Sequence, residues 1–331
     1  MVLQVRIGIS RPGEEQAGPA PVPSLALASP PLPVASGYAS NTGQHSLAIF
    51  DKRSLALSAV LPTGRAPWGV AVDPFRQRIY VALSDRDEVQ VFDATLLTPL
   101  GSIQLRPGDA PREIALTPDG RALVSANSGS NTASFLDAAS MVEVGRVQLD
   151  QVPTSVLMDR TGSRAYVSNE RGRSISVLDV QGRALAGSVA TEYGPLRVQL
   201  NRAGNRIFVA TAGSPYLLAY AVPGFAPAGR TYVGLGITAL KIDPGTDLIY
   251  VAQRGTDRLA VYDPMSLLPI DSIEIGGDAS YMAIADAENA LFVLLPEQRT
   301  IATIDLAGKR RTGQIDTGYD PHVMALSGER N

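Results

Sequence analysis

Two histidines occur in the 331-residue sequence, His45 and His322. Imidazole together with carboxylate can ligate a divalent cation or act as a general base. His45, His322 and Asp320, with Asp278 as a further carboxylate, are therefore a candidate metal set. Arg112, Glu113 and His322 supply the residue types of a hydrolase or lyase: a cation for developing charge and two groups for proton transfer. Trp68, Arg112, Arg197, Tyr281 and His322 make a third grouping, because aromatic and arginine side chains contribute most at recognition surfaces. The sequence has no cysteine, which removes thiolate nucleophiles, disulfides and cysteine-ligated metal sites. No G-x-S-x-G elbow, H-E-x-x-H pair or glycine-rich phosphate loop is present, so no motif calls for a cofactor, and a divalent metal is the alternative.

These residues lie far apart in the chain, so their meeting depends on elements that repeat. Tyr38, Tyr80, Leu123, Tyr166, Phe208, Tyr250 and Phe292 recur at steps of 42 or 43 residues. Asp51, Asp93, Asp137, Asp179, Asp263 and Asp305 keep the same rhythm, with Ala221 in the remaining slot. Pro67, Pro111, Pro153, Pro195 and Pro321 mark unit starts, replaced by Ile237 and Ser280 in the other units. Within a unit, runs such as WGVAVD, IYVAL, VQVFD and LGSIQL are short, rich in β-branched and aromatic residues, and bounded by turns such as TPDG. That pattern predicts four strands and leaves no room for a helix of useful length. A period near 42 with four strands predicts propeller blades, and seven of them close a ring around a channel. DPHVMAL is a first strand with no successors, while YASNTGQHSLAIFD supplies the later strands. The two are expected to build one composite blade, which removes free sheet edges.

Seven copies also separate scaffold from site. Positions that repeat serve every blade, so the aspartates are expected to accept backbone N–H bonds in the following turn. The aromatics should pack between blades, and Asn41, Asn127 and Asn169 should bond adjoining loops. A local function belongs where copies differ. The residues after the proline position, Trp68, Arg112, Thr154, Leu196, Thr238, Tyr281 and His322, should ring one channel mouth. Arg65, Asp109, Asp278 and Asp320 add polarity on the same side of that ring, and the loop Glu170–Arg173 differs from its counterparts. The basic run Lys309, Arg310, Arg311 falls on the opposite face, where a solvated turn accounts for it.

Tyr166-Val167-Ser168-Asn169 and, more loosely, Tyr38-Ala39-Ser40-Asn41, each followed by the strand-ending aspartate, resemble the YVTN-type β-propeller repeat family over roughly residues 33 to 327. The resemblance implies an all-β, seven-bladed propeller of four-stranded antiparallel blades. It also implies the company of exported or surface-associated bacterial and archaeal proteins, many of them binding modules, with lactonase-like enzymes among similar propellers.

Composition fits this reading: 45% hydrophobic and 18% charged residues allow a large core without a membrane-spanning run. The net charge of −3 gives no general attraction to nucleic acid. Residues 1–32, rich in Pro, Ala and Ser after MVLQVRIGISRPGEEQ, read as a leader or linker, and residues 33–331 as one propeller. Such a linker often follows an export signal, so the expected place is periplasmic or secreted, with the cytoplasm as the alternative. The expected function is a non-catalytic, monomeric binding module that takes a protein or small molecule at the channel mouth. The alternative is a lactonase-type or lyase-type enzyme at that mouth, with or without a metal.

Overall fold

Among the described residues, runs of Val, Ile and aromatic residues between Gly, Asn and Asp turns form 28 strands, β1 (Ser36–Asn41) through β28 (Pro321–Leu326). The computed structural model describes residues 36 to 329, so the expected leader or linker over residues 1–32 lies outside the described residues. The strands assemble into seven four-stranded sheets. Each is an antiparallel meander, the blade of a propeller, and the seven-bladed all-β fold is that expected from the repeat. Blade 1 is composite: β28 pairs with β1, followed by β2 (Ser46–Asp51) and β3 (Leu57–Pro62). Blades 2 to 7 follow in chain order.

Side-chain burial follows strand position within a blade. The second strands are covered on both faces, as in Arg164–Asn169, where every residue after Arg164 is buried. The outermost strands are largely exposed, as in Ala184–Ala190. The core therefore lies between blades. Tyr38, Leu47 and Ile49 of blade 1 pack on Ile79, Val81 and Leu83 of blade 2, and Leu259 and Val261 of blade 6 pack on Leu291 and Val293 of blade 7. Tyr38, Tyr80, Phe208 and Phe292 are essentially inaccessible to solvent, and burying each contributes roughly 1.5–3 kcal/mol.

The repeated aspartates cap turns. Asp93 Oδ1 accepts the Thr95 and Leu96 N–H groups at 2.8 and 2.7 Å. Asp51, Asp137 and Asp263 accept two such bonds in the same way. Asn127 and Asn169 donate to hydroxyls of the third strand across the loop, while Asn41 donates to the Thr317 carbonyl of the neighbouring blade.

Register corrects two spacings. Tyr80 sits opposite Ala71, and in blade 3 the corresponding residue, opposite Ala115, is Val124 rather than Leu123. Matching by bulk favoured leucine, but the blade 2 to blade 3 connection is one residue longer than that match allows. In blade 7, Tyr281 pairs with Leu294 as Ala239 pairs with Ala252 in blade 6. Ala279 therefore takes the proline place and Ser280 the position after it, one residue before the spacing-based assignment.

Candidate functional site at the channel mouth

The innermost strands of blades 2 to 6 are β4 (Pro67–Asp73), β8 (Pro111–Leu116), β12 (Pro153–Met158), β16 (Gly194–Leu200) and β20 (Ile237–Ile242). In each, and in β28, the ladder shifts register just after the residue at the proline position. A bulge of this kind leaves one residue unpaired and re-aims it. The residues so released are Trp68, Arg112, Thr154, Leu196, Thr238 and His322. Together with Ser280 they line a cup of about 190 Å3 at the mouth. A repeated clasp holds this lip: Ser84, Ser128, Glu170 and Arg254 N–H groups bond the carbonyls of Ala66, Ala110, Val152 and Gly236 at 2.8–3.2 Å.

On one side of the cup three side chains form a stack. The Arg112 guanidinium lies 4.2 Å from the Trp68 ring centroid, and the His322 ring stacks on Trp68 at 4.3 Å with 27° between planes. Three adjacent blades contribute one residue each. Gly69 allows this approach: a Cβ there would lie 2.8 Å from the Glu113 Cα and the Arg112 carbonyl oxygen, so a side chain would force β4 and β8 apart. Asp320 Oδ2 stands 3.5 Å from His322 Nε2. Burial pushes the His322 pKa down against the opposing pull of Asp320, and the Arg112 cation adds to the lowering. The imidazole is thereby favoured in its neutral form. Across the cup are the hydroxyl residues Thr154, Thr238 and Ser280, with Leu196 and Glu170 beside them.

One layer deeper, Glu113, Arg197 and Tyr281, from blades 3, 5 and 7, meet in the channel. Arg197 Nη1 donates to Glu113 Oε1 at 2.6 Å, Glu113 Oε2 accepts the Val156 N–H at 3.1 Å, and the guanidinium lies 4.6 Å from the Tyr281 ring centroid. Burial works against the Arg197 cation, but the Glu113 charge, the neighbouring Tyr281 and the hydrogen bond to Glu113 together outweigh it and hold the pKa above the ordinary arginine value. Burial, reinforced by Glu113, pushes the Tyr281 phenol up. Both the mouth cup and the larger channel cavity beneath are lined by Glu113 and Arg197, which together with Tyr281 act as a plug between them.

The structure thus divides the expected site residues. Trp68, Arg112 and His322 share the mouth, whereas Glu113, Arg197 and Tyr281 make the plug below it. Asp109 is engaged by the Arg146 fork at 2.7 and 2.6 Å, and Asp278 accepts the Gly255 N–H at 2.8 Å. His45 lies exposed after the first strand of the chain, its Nδ1 facing the Ala66 N–H at 3.4 Å. Among the described residues no group of three or more histidine, aspartate or glutamate side chains is placed to hold one metal ion. Sequence reasoning missed Ser280, through the register error, and Lys241, a lysine where the other inner strands carry Ala, Leu or Gln. Comparison of the seven copies would have shown the lysine.

No family model matches the sequence, and no curated protein matches it. Solved structures do. Hydrazine Synthase of Kuenenia stuttgartiensis superposes with a TM-score of 0.71 over 86% of this chain and 93% of that one, at 17% identity. Dihydro-heme d1 dehydrogenase NirN in complex with DHE gives a TM-score of 0.68 over 89% and 76%, at 12% identity. A functionally unknown protein from Desulfotomaculum acetoxidans DSM 771 gives 0.71 over 86% and 98%, also at 12% identity. At such identities these likenesses show the propeller fold alone.

Proposed function

We infer that the chain is a YVTN-type propeller acting as an exported, non-catalytic binding module that takes a small molecule or a protein side chain into the mouth cup. One observation carries the reading: Arg112, Trp68 and His322 are stacked into a single wall beside a cup of about 190 Å3. Stacking fixes the orientation of three side chains before any ligand arrives, which reduces the ordering cost of binding. A guanidinium over an indole and a partly exposed imidazole offer planar, cation–π and hydrogen-bonding contacts, and hydroxyls opposite complete the polar set. Export rests on the Pro/Ala/Ser-rich stretch before the first strand and on the family resemblance.

A screen of small molecules by thermal shift tests the reading. Compounds that raise the melting temperature should lose that effect in Trp68→Ala and Arg112→Ala, while both variants alone melt cooperatively. A second reading is kept by the His322–Asp320 contact at 3.5 Å, since a neutral imidazole beside a carboxylate suits a general base. Turnover on a lactone panel that disappears in His322→Ala would favour the enzyme and defeat the non-catalytic reading.

A further inference from the structure

Beneath the plug the channel opens into a cavity of about 440 Å3. Its lining includes Ala71, Ala115, Leu157 and Ala325 alongside the polar Gln199 and Lys241. The size lies in the range of small-ligand sites, roughly 300–1,000 Å3, which are mostly apolar with few placed polar groups. Away from the plug, two cations among the described residues line this space: Arg160, and the ammonium of Lys241 in β20, with a side chain 6% exposed. Its Nζ donates to Glu329 Oε1 at 2.7 Å.

The two partners are held differently. Lys241 is fixed in an inner strand, opposite Tyr250. Glu329 lies past the end of β28, after a turn in which Gly328 has φ 75° and open space on its Cα. Its backbone is tied by a 3.2 Å bond from its N–H to the Leu326 carbonyl. A buried ammonium requires an anion, because removing the partner without replacement leaves an uncompensated charge. A carboxylate carried by a ligand can take that place without loss of pairing. An apolar tail on the same ligand would displace water from the alanine and leucine lining, which is favourable in itself.

We propose that the lower cavity is a second binding site, for small carboxylates bearing an apolar tail, with Lys241 as counter-ion and Glu329 as the built-in competitor that leaves when ligand enters. The site is independent of the mouth, from which the plug separates it.

Calorimetric titration of the full chain with octanoate and octan-1-ol tests the assignment. Octanoate should bind, and octan-1-ol should bind at least about tenfold more weakly, because it lacks the charge that Lys241 pairs. Glu329→Gln should tighten octanoate by roughly tenfold, since an internal competitor lowers apparent affinity by the fraction of molecules in the open state. Lys241→Met should lose octanoate while keeping a cooperative melt; should that variant not fold, the Glu329→Gln comparison and the octanol control still decide the matter. The proposal is overturned if neither wild type nor Glu329→Gln binds octanoate, if Glu329→Gln binds it no more tightly, or if octan-1-ol binds as well. Octanoate binding that survives Lys241→Met and vanishes in Arg112→Ala would also overturn it, by moving the ligand to the mouth.

Discussion

Blade 3 carries two carboxylates that the fold uses in opposite ways. Asp137 ends the third strand, Thr132–Asp137, and spends its Oδ1 on N–H groups two and three residues ahead, at 3.1 and 2.7 Å. Glu113, in the inner strand Pro111–Leu116, reaches Arg197, 84 residues away, at 2.6 Å. The first bond is local and recurs in blades 1, 2 and 6. The second crosses the channel and occurs once. A propeller therefore stabilises its blades with contacts that each repeat carries within itself, and leaves the inner ends of the blades free for residues whose partners belong to other repeats.

The division breaks most severely at blade 1, where a repeat depends on a distant strand for its completion. Removing Asp320 to Asn331 deletes β28 and with it the pairing to β1, the Ser327 carbonyl that accepts Lys52 Nζ at 2.8 Å, and the lid over the edge of β1. Such an edge cannot satisfy its backbone groups within the ring. The truncated chain should lose its cooperative thermal transition, as followed by circular dichroism. A transition as steep as that of the full chain would mean that the ring does not need its closing strand.

Next in size is the plug. Arg197 and Glu113 side chains are 21% and 10% exposed, so Glu113→Gln leaves a largely buried guanidinium without its anion and should cost about 3 kcal/mol. Replacing both, as Glu113→Leu with Arg197→Met, should recover most of that loss, because an apolar pair of similar volume carries no desolvation penalty. Urea midpoints of the single and double variants check this. A single-variant cost below about 1 kcal/mol would place the pair with ordinary surface ion pairs and remove the distinction between plug and rim.

How much of this was legible in the sequence follows the same line. Tyr166, Asp179 and their equivalents reveal the blades because local turn chemistry and inter-blade packing impose the same residue type in every copy. The mouth was legible in part: Trp68, Arg112 and His322 are unlike their counterparts, and their sequence positions place them at the lip. What spacing could not supply was depth. Glu113 and Arg197 lie one residue past the bulge, Tyr281 holds the equivalent place in blade 7, and whether a residue lies at or after that position decides whether it faces the cup or the plug. The bulge itself depends on strand pairing, to which a list of residue types is blind. The pairing of Lys241 with Glu329 was invisible for another reason, since it joins blade 6 to a turn beyond the last strand, and no repeat relates the two.

The smallest effect separates the two regions by pH. Backbone N–H groups of Ser54, Ser140 and Ser266 hold Asp51, Asp137 and Asp263 below the usual carboxylate value. Their contribution is present above the unfolded value of about 3.9 and is lost only as pH falls through the lower folded values. His322 works in a different window. Burial lowers its folded pKa, so folding favours the neutral ring. That contribution is complete above the unfolded value of about 6.5 and falls away as pH drops through the depressed folded value. Urea midpoints measured at pH 8, 6.5 and 5 should therefore decline modestly, and His322→Gln should flatten the decline while leaving acid unfolding near pH 3 unchanged. An unaltered slope in His322→Gln would mean that the imidazole titrates as it does in the unfolded chain, and that the stack confers no preference for the neutral ring.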